Sequence, residues 1–409
     1  MDTRKTKTTI WSAAFISVFI ANFATNMGQY MMNTLVPKYV NSLGATASMV
    51  GTVTSMFAVT ALLIRPVTGP AFDYFSKKKL YMLAIAVICL AFVGYSRSVS
   101  VEGMMIFRLV HGIGMGCTAP LGLSIATDTL PADKTASGIG VFSIGQAVAT
   151  AIGPSIGLSL SEKIGYQSTF FIGAMVMLAA CLLCLVIREK KPEHREPFKI
   201  SLDRIIAVKA LVPAAMYVFL SVSYSCINSY MAIYGGERGV DQIGLFFTAY
   251  AVVLLVSRPL SGALMDKKGL AAAMVPACIL FAFAFFLVSI AHSLPMFLAA
   301  GAVSALGFGA SQPAIQALCM RSVPPSRRGA AANTNYTGAD LGNLLGPVIG
   351  GRVAEYAQGV TGSTAEGYAW MYRFMMIPMA VALLIFLVNR KQLIRNYVQP
   401  QSEGAPSES

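Results

Sequence analysis

The chain has 409 residues, of which 56% are hydrophobic and only 12% charged. Soluble domains carry about 25% charged residues, so the composition excludes a water-soluble globule and implies a polytopic membrane protein with the lipid bilayer as its surroundings. The net charge of +13 sits in short clusters between apolar runs, with no basic face carrying interleaved aromatics, which excludes nucleic acid as a partner.

Twelve apolar runs follow in order, each long enough to cross a hydrocarbon core of about 30 Å as a helix. Six fall at 11–36, 46–70, 78–96, 103–127, 136–159 and 167–187. Six more fall at 209–234, 242–264, 270–291, 294–318, 329–351 and 368–388. The runs are continuous and far longer than the roughly 10 residues of a barrel strand, so the fold class is all-α. Arg4, Lys5 and Lys7 precede the first run without a small-residue cleavage site, which reads as a first transmembrane helix and not a signal peptide. The charged stretch REKKPEHREPFKISLDR lies between the sixth and seventh runs. The expected organisation is an N-terminal six-helix bundle over 1–187, a cytoplasmic linker over 188–208, a C-terminal six-helix bundle over 209–395 and a disordered cytoplasmic tail over 396–409. A surface-lying amphipathic helix fits the linker.

With the N-terminus inside, the external loops hold only Lys38, Arg97, Lys163, Arg238, Arg352 and Arg373 among the basic residues. The positive-inside rule therefore puts both termini in the cytoplasm of a cell-membrane protein. The seven cysteines lie within or at the ends of apolar runs. Cys181 and Cys184 form a CxxC without a second pair or histidine ligands, so they read as core fillers and no metal site is expected.

An internal repeat runs through both halves. Adding 193 carries Arg65 to Arg258, Pro66 to Pro259, Gly69 to Gly262 and Asp73 to Asp266. The same offset carries Gly114 to Gly307, Pro120 to Pro313, Gly145 to Gly338, Gly153 to Gly346 and Pro154 to Pro347. Two homologous six-helix units, pseudo-symmetric about the membrane normal with a site between them, are the architecture this implies. Small residues at every fourth place, Gly145, Ala149, Gly153 and Gly338, Gly342, Gly346, make smooth helix stripes. Pro154 and Pro347 then bend their helices. The stripes serve either plain packing or bending helices at the boundary between the halves.

Polar residues inside apolar runs mark candidate sites, because lipid does not tolerate them. Asp340 is the one carboxylate deep within a span, so it must be protonated or paired. It is either a structural acid bonded to a neighbouring helix or a site for a proton or a cationic substrate. Arg108 lies near the outer end of the fourth run and either snorkels to the interface or faces a cavity as a cation. His111, one turn away, is a packing residue or a member of a proton relay. On the first helix Asn22, Asn26, Gln29, Tyr30 and Asn33 recur at helical spacing, as do Tyr217, Tyr224 and Asn228 on the seventh. These stripes point to a cavity that Gln312, Gln316, Asn333 and Tyr336 extend, with about half of them expected to line it and the others to bond helix to helix.

Three motifs together resemble the major facilitator superfamily, over nearly the whole chain. GPAFDYFSKKK, from Gly69 to Lys79, is similar to the family's loop between helices 2 and 3, with Gly69, Asp73, Lys77 and Lys78 in place and Ser76 where a glycine is usual. RLVHGIGMG, Arg108 to Gly116, resembles the R-x-x-x-G-x-G of helix 4. GQAVATAIGPSIG, Gly145 to Gly157, resembles the helix 5 motif associated with antiporters and drug exporters. The resemblance implies twelve helices and a latch on the cytoplasmic side. In it Asp73 meets the start of helix 11, a loop lysine meets Asp128, and Asp266, with Arg258 and Gly262, forms a weaker second latch facing helix 5. It also favours proton-coupled efflux of a small molecule by alternating access, with no cofactor and as a monomer. A proton-coupled importer of a small metabolite is the alternative, and a non-transporting sensor or scaffold a third. No G-x-x-x-x-G-K-[ST] loop is present for ATP, and no catalytic cluster of His, Asp and Glu lies in the spans.

Overall fold

A computed structural model describes residues 10–131, 134–187, 205–324 and 327–398. All regular structure among the described residues is helical. The first half comprises α1 (Ala13–Ser42), α2 (Ala47–Tyr74), α3 (Lys77–Arg97), α4 (Val101–Thr129), α5 (Thr135–Ile164) and α6 (Tyr166–Leu183). The second comprises α7 (Leu211–Glu237), α8 (Leu245–Lys268), α9 (Leu270–Ser289), α10 (Leu294–Arg321), α11 (Arg328–Thr361), then α12 (Thr364–Phe374) and α13 (Met376–Val388), with α14 (Arg390–Val398) behind them. Ten crossings, α12 and α13 forming one, are long and apolar enough to span a membrane. The other two long helices, α1 and α11, have 30 and 34 residues but carry the polar stripes, which dilute their hydropathy.

Local chemistry explains the boundaries. Ser12, Thr46, Ser76, Ser100 and Ser363 each accept a bond from a backbone N–H in the first turn of the helix they precede. Between α8 and α9 the chain turns on Gly269 at φ +83°, a conformation open to glycine. The equivalent turn between α2 and α3 uses Ser76 at φ −63°, extended backbone that needs no glycine. The last crossing breaks at Met375 because Pro378 cannot donate to the carbonyl four residues back. Ser223 of α7 donates to the Met375 carbonyl at 2.9 Å. At the C-terminus the helix runs to Val398, three residues beyond the expected bundle end. Arg321 holds it there, donating from Nη1 to the Tyr397 carbonyl at 2.6 Å. The linker over 188–204 and the tail from 399 lie outside the described residues.

Twelve alternating crossings place both chain ends on one face of the bundle, the terminal face, opposite a distal face. Within each half the glycine stripes do the same work. A side chain at Gly153 would come 3.1 Å from the Met27 carbonyl of α1, and at Gly145 2.7 Å from the Phe19 ring. A side chain at Gly338 or Gly346 would come 2.7 Å and 2.3 Å from the carbonyls of Ala214 and Val222 on α7. The stripes therefore seat α5 on α1 and α11 on α7 inside their own halves, the packing role of the two expected, while other faces of α5 and α11 meet the opposite half. Helices without a hydrophobic drive between them gain from such close backbone approach, and any Cβ here would push them apart.

The halves meet through α2 and α11, α5 and α8, and α1 and α7. Near the distal face this contact is intimate and reciprocal. A side chain at Gly51 would come 2.1 Å from the Pro347 carbonyl, and one at Gly351 would come 2.3 Å from the Ala47 carbonyl. The Tyr230 hydroxyl of α7 stands between the halves, 2.6 Å from the Pro347 carbonyl of α11 and 3.2 Å from the Ala47 carbonyl of α2. Glu355 accepts from the Ser48 backbone N–H at 3.3 Å, placing a carboxylate at the positive N-terminal end of α2. Thr248 of α8 donates to Ser155 of α5 at 3.1 Å. The distal face is thus closed by backbone-to-backbone packing.

Gly51→Leu is expected to hold the distal ends of α2 and α11 apart while leaving each half folded. Spin labels at Ser42 and Thr361 should report a longer mean distance in the variant, and an unchanged distance would refute the assigned packing.

Candidate functional site

The charged centre of the molecule lies where α2 and α11 pass each other. Arg65 is nine residues before the end of α2 and Asp340 twelve after the start of α11, both about 14–18 Å from the terminal-face ends at 1.5 Å per residue. Arg65 Nε donates to Asp340 Oδ2 across the two halves. Both side chains are buried, Arg65 at 7% and Asp340 at 6% exposure. The guanidinium also sits 5.0 Å from the centroid of the Tyr336 ring. A charge at this depth is tolerated only with a partner, and here each supplies the other's. Sequence reasoning treated Arg65 as repeat punctuation and missed it as the partner. The available signal was a basic and an acidic residue at matching depth in two spans.

Beside this pair the second half contributes a polar group on three helices. Arg258 of α8 donates from Nη2 to Gln312 Oε1 of α10 at 2.9 Å. Gln312 Nε2 donates to the Tyr217 hydroxyl of α7 at 3.1 Å. Tyr224 stacks on Phe308 with centroids 4.0 Å apart, and Tyr250 lies tilted against it at 6.1 Å. Asn228 reaches the Tyr224 carbonyl at 3.5 Å. Tyr30 of α1, from the other half, lies in the neighbourhood of Tyr217, Tyr224, Tyr250 and Tyr336. The tyrosines are thereby gathered around the boundary between halves.

The rest of the polar stripes divides between local bonds and joints. On α1, Asn26 donates to the Asn22 side chain at 3.1 Å and Gln29 to Asn33 at 3.0 Å, four residues apart in each case. Gln316 is exposed, one turn beyond Gln312. Asn333 donates to the Ile205 carbonyl at 2.9 Å, and its neighbour Thr334 accepts from the Ala207 N–H at 2.9 Å. These two residues tie the described end of the linker to α11.

Arg108 and His111 stand apart from this site. Both are fully buried inside the first half, so Arg108 neither snorkels nor faces the boundary. Its Nη2 donates to the Thr54 carbonyl at 2.8 Å and its guanidinium lies 4.7 Å from the Phe57 ring centroid. His111 Nδ1 lies 3.1 Å from the Tyr95 hydroxyl, with the ring edge-on to Phe92. The cause is close helix approach, because a Cβ at Gly112 would meet the Phe57 carbonyl at 2.0 Å. That contact presses α4 on α2 and shuts Arg108 in.

At the terminal face Lys77 Nζ is 2.7 Å from Asp128 Oδ2. Lys78 turns elsewhere and donates to the carbonyls of Leu185 and Ile187, both at 2.7 Å, where cationic groups favour a helix end. The side chain of Asp73 and the surroundings of Gly69 lie outside the described residues. In the second half Asp266 is exposed with no ion pair among the described residues, and nothing stands within 4 Å of a Cβ on Gly262. Arg258 is no member of a terminal-face latch. It sits ten residues inside α8, too deep for its guanidinium to reach the loop.

Comparison with known proteins bears on the whole chain. The family model described as Major Facilitator Superfamily matches residues 18–241 and 213–405. "Multidrug resistance protein 1" of Bacillus subtilis is 24% identical over 348 residues, covering 82% of this chain and 88% of that relative. "Multi-drug resistance efflux pump PmrA" of Streptococcus pneumoniae is 24% identical over 366 residues, covering 84% and 90%. Among solved structures, that of the nucleoside transporter NupG superposes with a TM-score of 0.74 at 14% identity, over 92% of this chain and 99% of that one, which shows a shared fold. The family match over both halves, on a twelve-crossing helical frame, makes this chain a membrane transporter of the major facilitator superfamily.

Proposed function

We propose that this protein is a secondary active exporter that exchanges a small molecule for protons by alternating access. It acts as a monomer in the cell membrane with both termini in the cytoplasm, takes no cofactor beyond the coupling proton, and has no enzymatic activity. One observation carries the reading: the bond joining the halves at membrane depth contains a single protonatable carboxylate, Asp340, paired with Arg65. The relatives named as multi-drug resistance efflux pumps support the outward direction.

In the cycle we envisage, ionised Asp340 holds Arg65 and keeps α2 against α11. Once the distal face has opened, a proton arriving from outside neutralises Asp340, and the guanidinium then has no counter-charge. A buried unpaired cation is unfavourable by several kcal/mol, enough to shift a balance between two packings. Release of the proton to the cytoplasm restores the pair. Asp340 thus links protonation to the relative position of the halves, while Lys77 and Asp128 tie α3 to α4 near the terminal face.

Two experiments test this. In inverted vesicles with an acid interior, the wild type should accumulate dyes from a multidrug panel, and Asp340→Asn should lose accumulation driven by the pH gradient. Transport by the Asn variant with unchanged pH dependence would rule out the coupling role. Arg65→Leu should destabilise the protein by roughly 3–5 kcal/mol, because it strands a buried carboxylate. A thermal melt of Arg65→Leu/Asp340→Leu should recover most of the lost stability, and no recovery would argue against the pairing.

A further inference from the structure

We propose that the site between the halves takes an aromatic carboxylate, its anionic group seated on Arg258 and Gln312 and its ring against the tyrosines. This deepens the transporter reading above and names a substrate class for the same site. The duplication supplies the first observation. Arg65 and Arg258 occupy the same position in the two halves, each on a helix at membrane depth. A charge there requires a counter-charge. Arg65 has Asp340, but the position in the first half equivalent to Asp340 is Ala147. Arg258 therefore lacks the acid its twin possesses, and no carboxylate pairs with it among the described residues.

The surroundings of Arg258 are built for a guest and not for a silent cation. Its Nη2 is bonded to a neutral amide, and its Nε is buried without a partner. The Tyr217 hydroxyl takes the Gln312 NH2, which fixes the amide oxygen toward the guanidinium. The residue as a whole remains half-buried. A guanidinium fork matches a carboxylate with two parallel bonds, which a neutral ligand cannot replace. Beside it, Tyr217 is bonded to Gln312, and Tyr224 and Phe308 present a stacked aromatic face. The first-half equivalents of Tyr217, Tyr224, Tyr250 and Gln312 are Ala24, Met31, Phe57 and Ala119. The hydroxyl and amide groups are thus confined to the half whose arginine has no acid. Asp340 cannot draw a cation into this site while Arg65 occupies it.

The test uses the purified full-length protein in detergent, without any gradient. Thermal unfolding is followed with 1-naphthoate, with the uncharged 1-naphthamide and with 1-naphthylmethylammonium. Naphthoate should raise the melting temperature in a saturable manner, whereas the amide and the cation should not. Arg258→Gln should weaken naphthoate binding by about 10- to 100-fold, the range expected for loss of a charge-assisted bond. Arg258→Lys should retain part of it, keeping the charge without the fork. If Arg258→Gln does not fold, Ala147→Asp carries the test, since it supplies the missing acid with Arg258 in place and should abolish the naphthoate shift. No shift with naphthoate, an equal shift with the amide, or undiminished binding in a folded Arg258→Gln or Ala147→Asp overturns the proposal. Binding is read here without transport, so a failure of proton-driven export would leave this result standing, and the reverse.

Discussion

The ion pair between Arg65 and Asp340 is the contact on which the arrangement of the halves turns. It joins α2 of the first half to α11 of the second at a depth where neither charge is tolerable alone. Because the two partners belong to different halves, the protein can satisfy both charges only when α2 and α11 are side by side. The contact of the Tyr336 ring with the guanidinium depends on the same juxtaposition.

Close backbone approach supplies the complementary constraint. Within the halves, Gly153 against α1 and Gly346 against α7 do equivalent work, as two copies of one ancestral unit would. Between the halves, Gly51 and Gly351 face the carbonyls of Pro347 and Ala47 reciprocally. Lipid gives helices no hydrophobic reason to associate, so contact area and hydrogen bonds such as that of Tyr230 to Ala47 must do so. Such contacts are short-ranged, and a separation of an ångström or two removes most of their benefit. A boundary held in this way has discrete closed and open arrangements instead of a continuum.

Against this symmetric frame the departures stand out. The first half buries Arg108 and His111 among α2, α3 and α4, whereas the position equivalent to Arg108 in the second half is Gly301, packed against Phe246. The second half gathers tyrosines and Gln312 about Arg258, where the first has small or apolar residues. The frame repeats because both halves solve one packing problem in one solvent. The departures lie in different places: the first half seals Arg108 inside its own helices, while the second gathers polar side chains around Arg258.

The amino-acid sequence by itself determined the solvent, the number of crossings and the duplication. Hydropathy and a constant offset are local or periodic properties that survive without knowledge of contacts. It also determined that Asp340 needed a partner or a proton, since the expense of a buried charge depends on depth alone. Only the tertiary structure decided who that partner is, because Arg65 lies 275 residues away in the chain and meets Asp340 through the packing of α2 on α11. The same reason separates Arg108 from the site it was expected to join: Gly112 lets α4 press against α2, and that closure turns an arginine of the fourth helix into a buried neighbour of Thr54 and Phe57. Periodicity places a residue on a helix face, but which helix covers that face is settled by backbone approach between distant segments. No single stretch of sequence contains that information.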